Sequence, residues 1–111
     1  MYLYLELWSA REPWLKMSKD ERKAFFKSVE SVVAEMGESG SEMIAVALND
    51  DDTDQRADYE YLALWRMPDK ETALEFERII GGLGWYELFH QENMRGADIP
   101  AEDCLAHMID R

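Results

Sequence analysis

His90, one of two histidines in the chain, lies in the stretch WYELFHQEN, next to Phe89 and two residues before Glu92. Histidine titrates near neutral pH, so it can take or give a proton where chemistry needs one. A carboxylate that accepts from one imidazole nitrogen fixes the tautomer and raises the basicity of the other, and Glu6 or Glu92 could serve His90 in this way. Glu6 is flanked by Leu5 and Leu7 in the apolar run YLYLELW. A carboxylate in such a run must be paired or have its pKa raised, because burying a lone charge is costly. His90 as base and Glu6 as its orienter are therefore the candidate catalytic residues. Tyr4, Trp8, Tyr59, Tyr61, Trp65 and Phe89 are the candidate ligand-binding residues. Together with Trp85 and Tyr86 they could line a flat pocket for an aromatic or polycyclic substrate, with tyrosine hydroxyls orienting it. Structural readings fit the same residues. His90 could close a strand and hydrogen-bond locally, Glu6 could pair with Arg66 or Arg56 or stand at a solvated strand end, and the aromatics could form core and dimer interface.

Other site chemistries lack their residues. Cys104 and His107 stand three apart, with neither a CxxC nor an HxxxH spacing, so no metal site is expected. Asp50, Asp52 and Asp54 resemble the start of a calcium loop. Gln55 stands where that loop needs glycine, and Tyr61 where it needs its closing glutamate. No GxSxG elbow and no GxxxxGK phosphate loop occur. Gly81, Gly82 and Gly84 follow a helical pattern and do not precede one, so they cap and turn and cradle no phosphate. No cofactor is expected.

The chain has 111 residues, one domain's worth, with 47% apolar residues and a net charge of −12. So acidic a surface repels nucleic-acid phosphates and anionic membranes. No apolar run approaches the ~20 residues that span a bilayer. The one cysteine can form no internal disulfide, and no basic region precedes the apolar start, so a cytoplasmic location is expected.

The elements that must hold these side chains follow from periodicity. Residues 2–8 alternate strictly, with Leu3, Leu5 and Leu7 on one face and Tyr2, Tyr4, Glu6 and Trp8 on the other. Residues 9–17, with Pro13, read as a turn region. Ser18 and Glu21 form a capping box, and Phe25, Phe26, Val29, Val32, Val33 and Met36 make the stripe of the helix that follows. Residues 42–48 read as a second strand, 49–58 as a polar acidic loop, and 59–67 as a third strand. Asp69 N-caps a second helix with Ala73, Phe76, Ile80 and Leu83 on its stripe. Residues 85–93 read as a fourth strand, and Pro100 opens a C-terminal helix over roughly 100–109.

This order, βαββαβ plus a terminal helix, predicts an α+β ferredoxin-like domain over 1–111, with a four-stranded antiparallel sheet and two helices on one face. Strands one and three carry large hydrophobes on both faces. The uncovered face needs a partner, and a second copy is self-complementary, so a homodimer with sheets face to face is expected.

The pattern resembles the dimeric α+β barrel superfamily, and MYLYLELW, RADYEYLALW and GWYELFHQ are similar to a group of small uncharacterised bacterial proteins within it. The superfamily includes cofactor-independent monooxygenases, lactone isomerases, polyketide cyclases and haem-binding enzymes, which hold ligands between sheet and helices. No catalytic motif of the superfamily matches this sequence residue by residue. Polar groups amid aromatics on adjacent strands point to a metal-free enzyme acting on a hydrophobic or aromatic metabolite by proton transfer or cofactor-free oxygenation. The alternative is a non-catalytic dimeric module that binds a metabolite or a protein partner through the acidic loop and the terminal helix.

Overall fold

Strand β1 (Tyr2–Ala10) is the central element of the computed structural model, which describes residues Met1–Arg111. After it come α1 (Glu12–Lys16), α2 (Lys19–Glu38), β2 (Glu42–Leu48), β3 (Tyr61–Met67), α3 (Lys70–Gly82), α4 (Trp85–Leu88), β4 (Phe89–Ala97) and α5 (Ala101–Ile109). The four strands pair antiparallel in the order β2-β3-β1-β4, which is the ferredoxin-like arrangement.

The expected helix starts are present at atomic detail. Ser18 Oγ accepts from the Glu21 N–H at 3.1 Å, and Glu21 Oε1 accepts from the Ser18 N–H at 2.9 Å. Asp69 Oδ1 accepts from the Thr72 N–H at 2.8 Å to open α3. Ser18→Ala is expected to cost about 1 kcal/mol, read as a lower urea midpoint with an unchanged slope.

Alternation then assigns the faces. The cross-strand register aligns Glu6 with Ala63 on β3 and with Asn93 on β4. Tyr4, Glu6, Trp8, Ala63, Trp65, Phe89, Gln91 and Asn93 thus share the face that the helices cover, and the core lies there. Leu3, Leu5, Leu7, Leu62 and Leu64 share the opposite face, which no element of the chain covers. Every residue of α5 is exposed, Ile109 to 81%.

Three local expectations are corrected. The turn region contains α1, whose Trp14 is buried, with its ring centroid 5.1 Å from that of Phe26 and 4.8 Å from that of Phe89. The fourth strand starts at Phe89 and not at residue 85, because Gly84, at φ +85°, turns the chain into α4. Trp85 and Phe89 are both buried while Glu87 between them is exposed, which is the spacing of one helical turn. Tyr59 precedes β3. Its carbonyl accepts from Asn49 Nδ2 at 2.6 Å and from Arg56 Nη2 at 3.1 Å, and these bonds hold it in the loop.

Candidate functional site

Glu6 is 6% exposed at the middle of β1. Its cross-strand neighbour Ala63 is small, and the larger side chains further along carry the donors that make its burial tolerable. Trp65 Nε1 donates to Glu6 Oε1 at 2.8 Å. Gln91 Nε2 donates to Glu6 Oε2 at 2.9 Å. The Gln91 amide is itself fixed: its oxygen accepts from Trp85 Nε1 at 2.6 Å, and its nitrogen also donates to Asn93 Oδ1 at 2.8 Å. This network leaves no polar atom of Gln91 idle, so the carboxylate is aimed by a rigid chain of bonds.

No cation pairs with Glu6, since the ion pairs of the chain join other residues. Burial pushes its pKa up from the ordinary carboxylate value, and the Trp65 and Gln91 N–H groups pull it part of the way back.

Above the carboxylate is an apolar cavity of about 170 Å³ between sheet and helices. Trp8, Ala63 and Trp65 line it from the sheet, Phe26, Val29 and Val33 from α2, and Phe76 and Ile80 from α3. Met43, Val46 and Trp85 complete the wall, so Glu6 contributes the only charged group. An apolar cavity of about 150 Å³ is known to take up benzene, so the space suits a single ring.

The other candidates fall in three places. Tyr4 is fully buried beside the cavity, but its hydroxyl donates to Glu77 Oε2 at 2.8 Å, an oxygen that also accepts from Arg95 Nε at 3.0 Å. Burial and the Glu77 carboxylate push the Tyr4 pKa upward. Tyr61 and Phe89 line a shallower hollow with Trp8, Trp14 and Phe26, next to the Glu6 cavity. His90 pairs across the sheet with Ser9, on the face opposite Glu6, and is exposed. The expected His90–Glu6 pairing is therefore corrected: a one-residue offset along β4 turns His90 away and brings Gln91 to the carboxylate.

The neighbours of His90 are instead Tyr59, whose hydroxyl lies 3.3 Å from Nε2, and Arg11, with Nη2 at 3.5 Å from Nδ1. The Tyr59 ring stacks on the imidazole with centroids 5.5 Å apart. Burial and the nearby Glu92 carboxylate push the Tyr59 pKa up to about 12. Neither Arg66 nor Arg56 reaches Glu6: Arg66 pairs with Glu42, and Arg56 with Asp58.

Sequence reasoning missed Gln91, which holds Glu6 in place, the bond by which Trp85 fixes Gln91, and the α2 roof of the cavity. The available signal was Gln91 itself, an amide two residues from buried Phe89 and so on its inward face.

The model of one family matches residues 1–111, and its description is a family of unknown function, DUF6616. The chain belongs to DUF6616. A search of curated proteins finds no match to this DUF6616 chain. Among solved structures it is similar to a protein provisionally named a chlorite dismutase, TA0507, at 15% identity and a TM-score of 0.71. That likeness covers 96% of this chain and 48% of the other, so the DUF6616 chain spans about half the length of that relative. It is also similar to At3g17210 from Arabidopsis thaliana, at 12% identity and a TM-score of 0.58, over 91% of this chain and 98% of that one. At such identities these likenesses show the ferredoxin-like fold and nothing of the chemistry. No helix of the DUF6616 chain is long and apolar enough to cross a membrane.

Proposed function

We propose that the chain binds a compact, largely hydrophobic small molecule between sheet and helices and exchanges a proton with it through Glu6, without a metal. One observation carries this reading: Glu6 is a buried, hydrogen-bonded carboxylate with no cationic partner, and it is the only charged group lining an apolar cavity. A carboxylate whose pKa is raised by burial is a stronger base than one in water, and its two fixed N–H donors hold it in one orientation. Proton transfer of this kind serves isomerases, cyclases and cofactor-independent monooxygenases alike, and the finer choice among them depends on the substrate. The base role thus passes from His90 to Glu6.

Toluene, a single ring without polar atoms, tests the cavity. It is expected to bind saturably, changing the tryptophan fluorescence of the chain, because Trp8, Trp65 and Trp85 line the space. Ala63→Leu and Val33→Phe, each checked by thermal melting for a retained fold, are expected to abolish the binding by filling the cavity. Binding that survives both replacements would put the ligand elsewhere.

A homodimer through the open sheet face is part of the same proposal. It is supported by the run of Leu3, Leu5, Leu7, Leu62 and Leu64 on a face that nothing in the chain covers. Light scattering is expected to give twice the chain mass, and the double replacement Leu5→Glu with Leu64→Glu is expected to halve it. A wild-type monomer at high concentration would contradict the pairing.

A further inference from the structure

We propose that the molecule the Glu6 cavity accepts carries a protonated amine, which pairs with the Glu6 carboxylate. The inference rests on the preceding reading of the cavity as the ligand site and adds the chemical class of the ligand.

Three observations converge on it. The first is an unbalanced charge. The hydrogen bonds that reach Glu6 come from neutral groups, the indole of Trp65 and the amide of Gln91. A buried carboxylate is most stable beside a cation, and the chain supplies none. The arginines are engaged elsewhere: Arg66 with Glu42, Arg95 with Glu77, and Arg22 with the Trp14 ring and the carbonyls of Trp14 and Leu15.

The second is the arrangement of donors. One N–H reaches each carboxylate oxygen, which favours the ionised form and leaves the remaining lone pairs as acceptors. The two N–H groups that reach the carboxylate, from Trp65 and Gln91, are committed to it. A ligand that brings N–H donors finds acceptors here. A carbonyl or carboxylate meets another oxygen there, and the Trp65 and Gln91 donors are already taken.

The third is the surroundings. Aromatic side chains, Trp8, Phe26, Trp65, Phe76 and Trp85, make up much of the lining, and aromatic rings attract cations where aliphatic walls do not. The net charge of −12 raises the local concentration of cations around the whole molecule. A volume of about 170 Å³ holds a single ring or a short chain, with the rim at Phe26, Met43 and Val46 open to solvent.

Four probes of one ring size separate the possibilities: toluene, benzyl alcohol, benzylamine and benzoate, each titrated into the whole chain at pH 7 by calorimetry and tryptophan fluorescence. Benzylamine is expected to bind at least tenfold tighter than toluene, benzyl alcohol to lie between them, and benzoate not to bind. Glu6→Gln is expected to erase the benzylamine preference while toluene still binds. Toluene binding with no benzylamine preference, or a preference that Glu6→Gln leaves intact, overturns the amine and leaves the cavity reading standing. Failure of all four to bind overturns both. Should Glu6→Gln not fold, the series on the unmutated chain is repeated in about 0.5 M sodium chloride, which screens the field of the whole molecule: an amine preference that persists there supports the Glu6 partner, and one that vanishes overturns it.

Discussion

Trp65→Ala is expected to lower the unfolding free energy by about 3–5 kcal/mol, the usual cost of removing a buried tryptophan ring. Trp65 is 2% exposed, and its ring packs on Phe76 with centroids 5.3 Å apart. Its removal enlarges a cavity that already exists, so the walls have little to collapse onto. It also strips the N–H that reaches Glu6 Oε1. Trp65→Phe separates the two effects, because most of the ring volume stays and the donor goes. Its cost is expected near 1–3 kcal/mol, the desolvation penalty of a buried acceptor left unpaired. That cost has a pH signature. Losing the donor raises the folded-state pKa of Glu6 further, so the penalty is present while Glu6 is ionised and shrinks as acid protonates it. Urea titrations of both variants across pH 4–8 check this, and a Trp65→Phe cost independent of pH would mean that the indole N–H does not stabilise the carboxylate.

On the proposed proton exchange, Glu6→Gln is expected to reduce turnover by about 10²–10⁴-fold, the range for removal of a general base. Its effect on stability runs the other way with pH. Burial raises the folded-state pKa of Glu6 above its unfolded value, so the native chain holds the proton more tightly than the unfolded chain does. The stability from this group is complete below the unfolded pKa of about 4.3 and is lost as pH rises through the folded value. Glutamine has no such titration. The stability of Glu6→Gln relative to wild type is therefore expected to improve as pH rises, by at most about 1.4 kcal/mol per unit, and to level off above the folded pKa. The remaining carboxylates are common to both chains and cancel in the difference. A difference that stays flat with pH would mean that Glu6 is as well solvated in the native state as in the unfolded one.

Capping and alternation, which act over a few residues, are legible in the sequence. The Ser18–Glu21 box opens α2, Asp69 caps α3, and EMIAVAL is β2 from Glu42 to Leu48. The alternation of β1 separates Glu6 from the leucines, and the element order specifies the ferredoxin-like sheet. The candidate site was less legible because it depends on register between strands distant in sequence. Period-2 alternation fixes which residues share a face and leaves open which face meets the helices. Glu6 and His90 were both recognisable as polar groups in apolar runs. Whether they meet depended on Ser9 and not Glu6 aligning with His90, a matter of cross-strand pairing that neither run encodes. The stretch 85–88 misled for a related reason. Trp85 and Phe89 are both apolar and four apart, a spacing that fits a strand and one turn of helix equally, and Gly84 at positive φ decides for the turn. The α2 roof over the carboxylate is tertiary packing, which no local pattern in residues 19–38 declares.

Proton exchange at the Glu6 cavity, proposed above, and a role for the His90 surface predict different ligand contacts. The most direct test is a toluene titration followed in ¹H–¹⁵N spectra, in which each tryptophan indole N–H gives its own signal. The Trp65 and Trp85 indole signals should move together and saturate, because both N–H groups belong to the hydrogen-bonded chain around Glu6, while the amides of Tyr59 and His90 on the opposite side stay in place. Saturable shifts at Tyr59 and His90 with unmoved Trp65 and Trp85 indoles would contradict the account and return the site to the histidine.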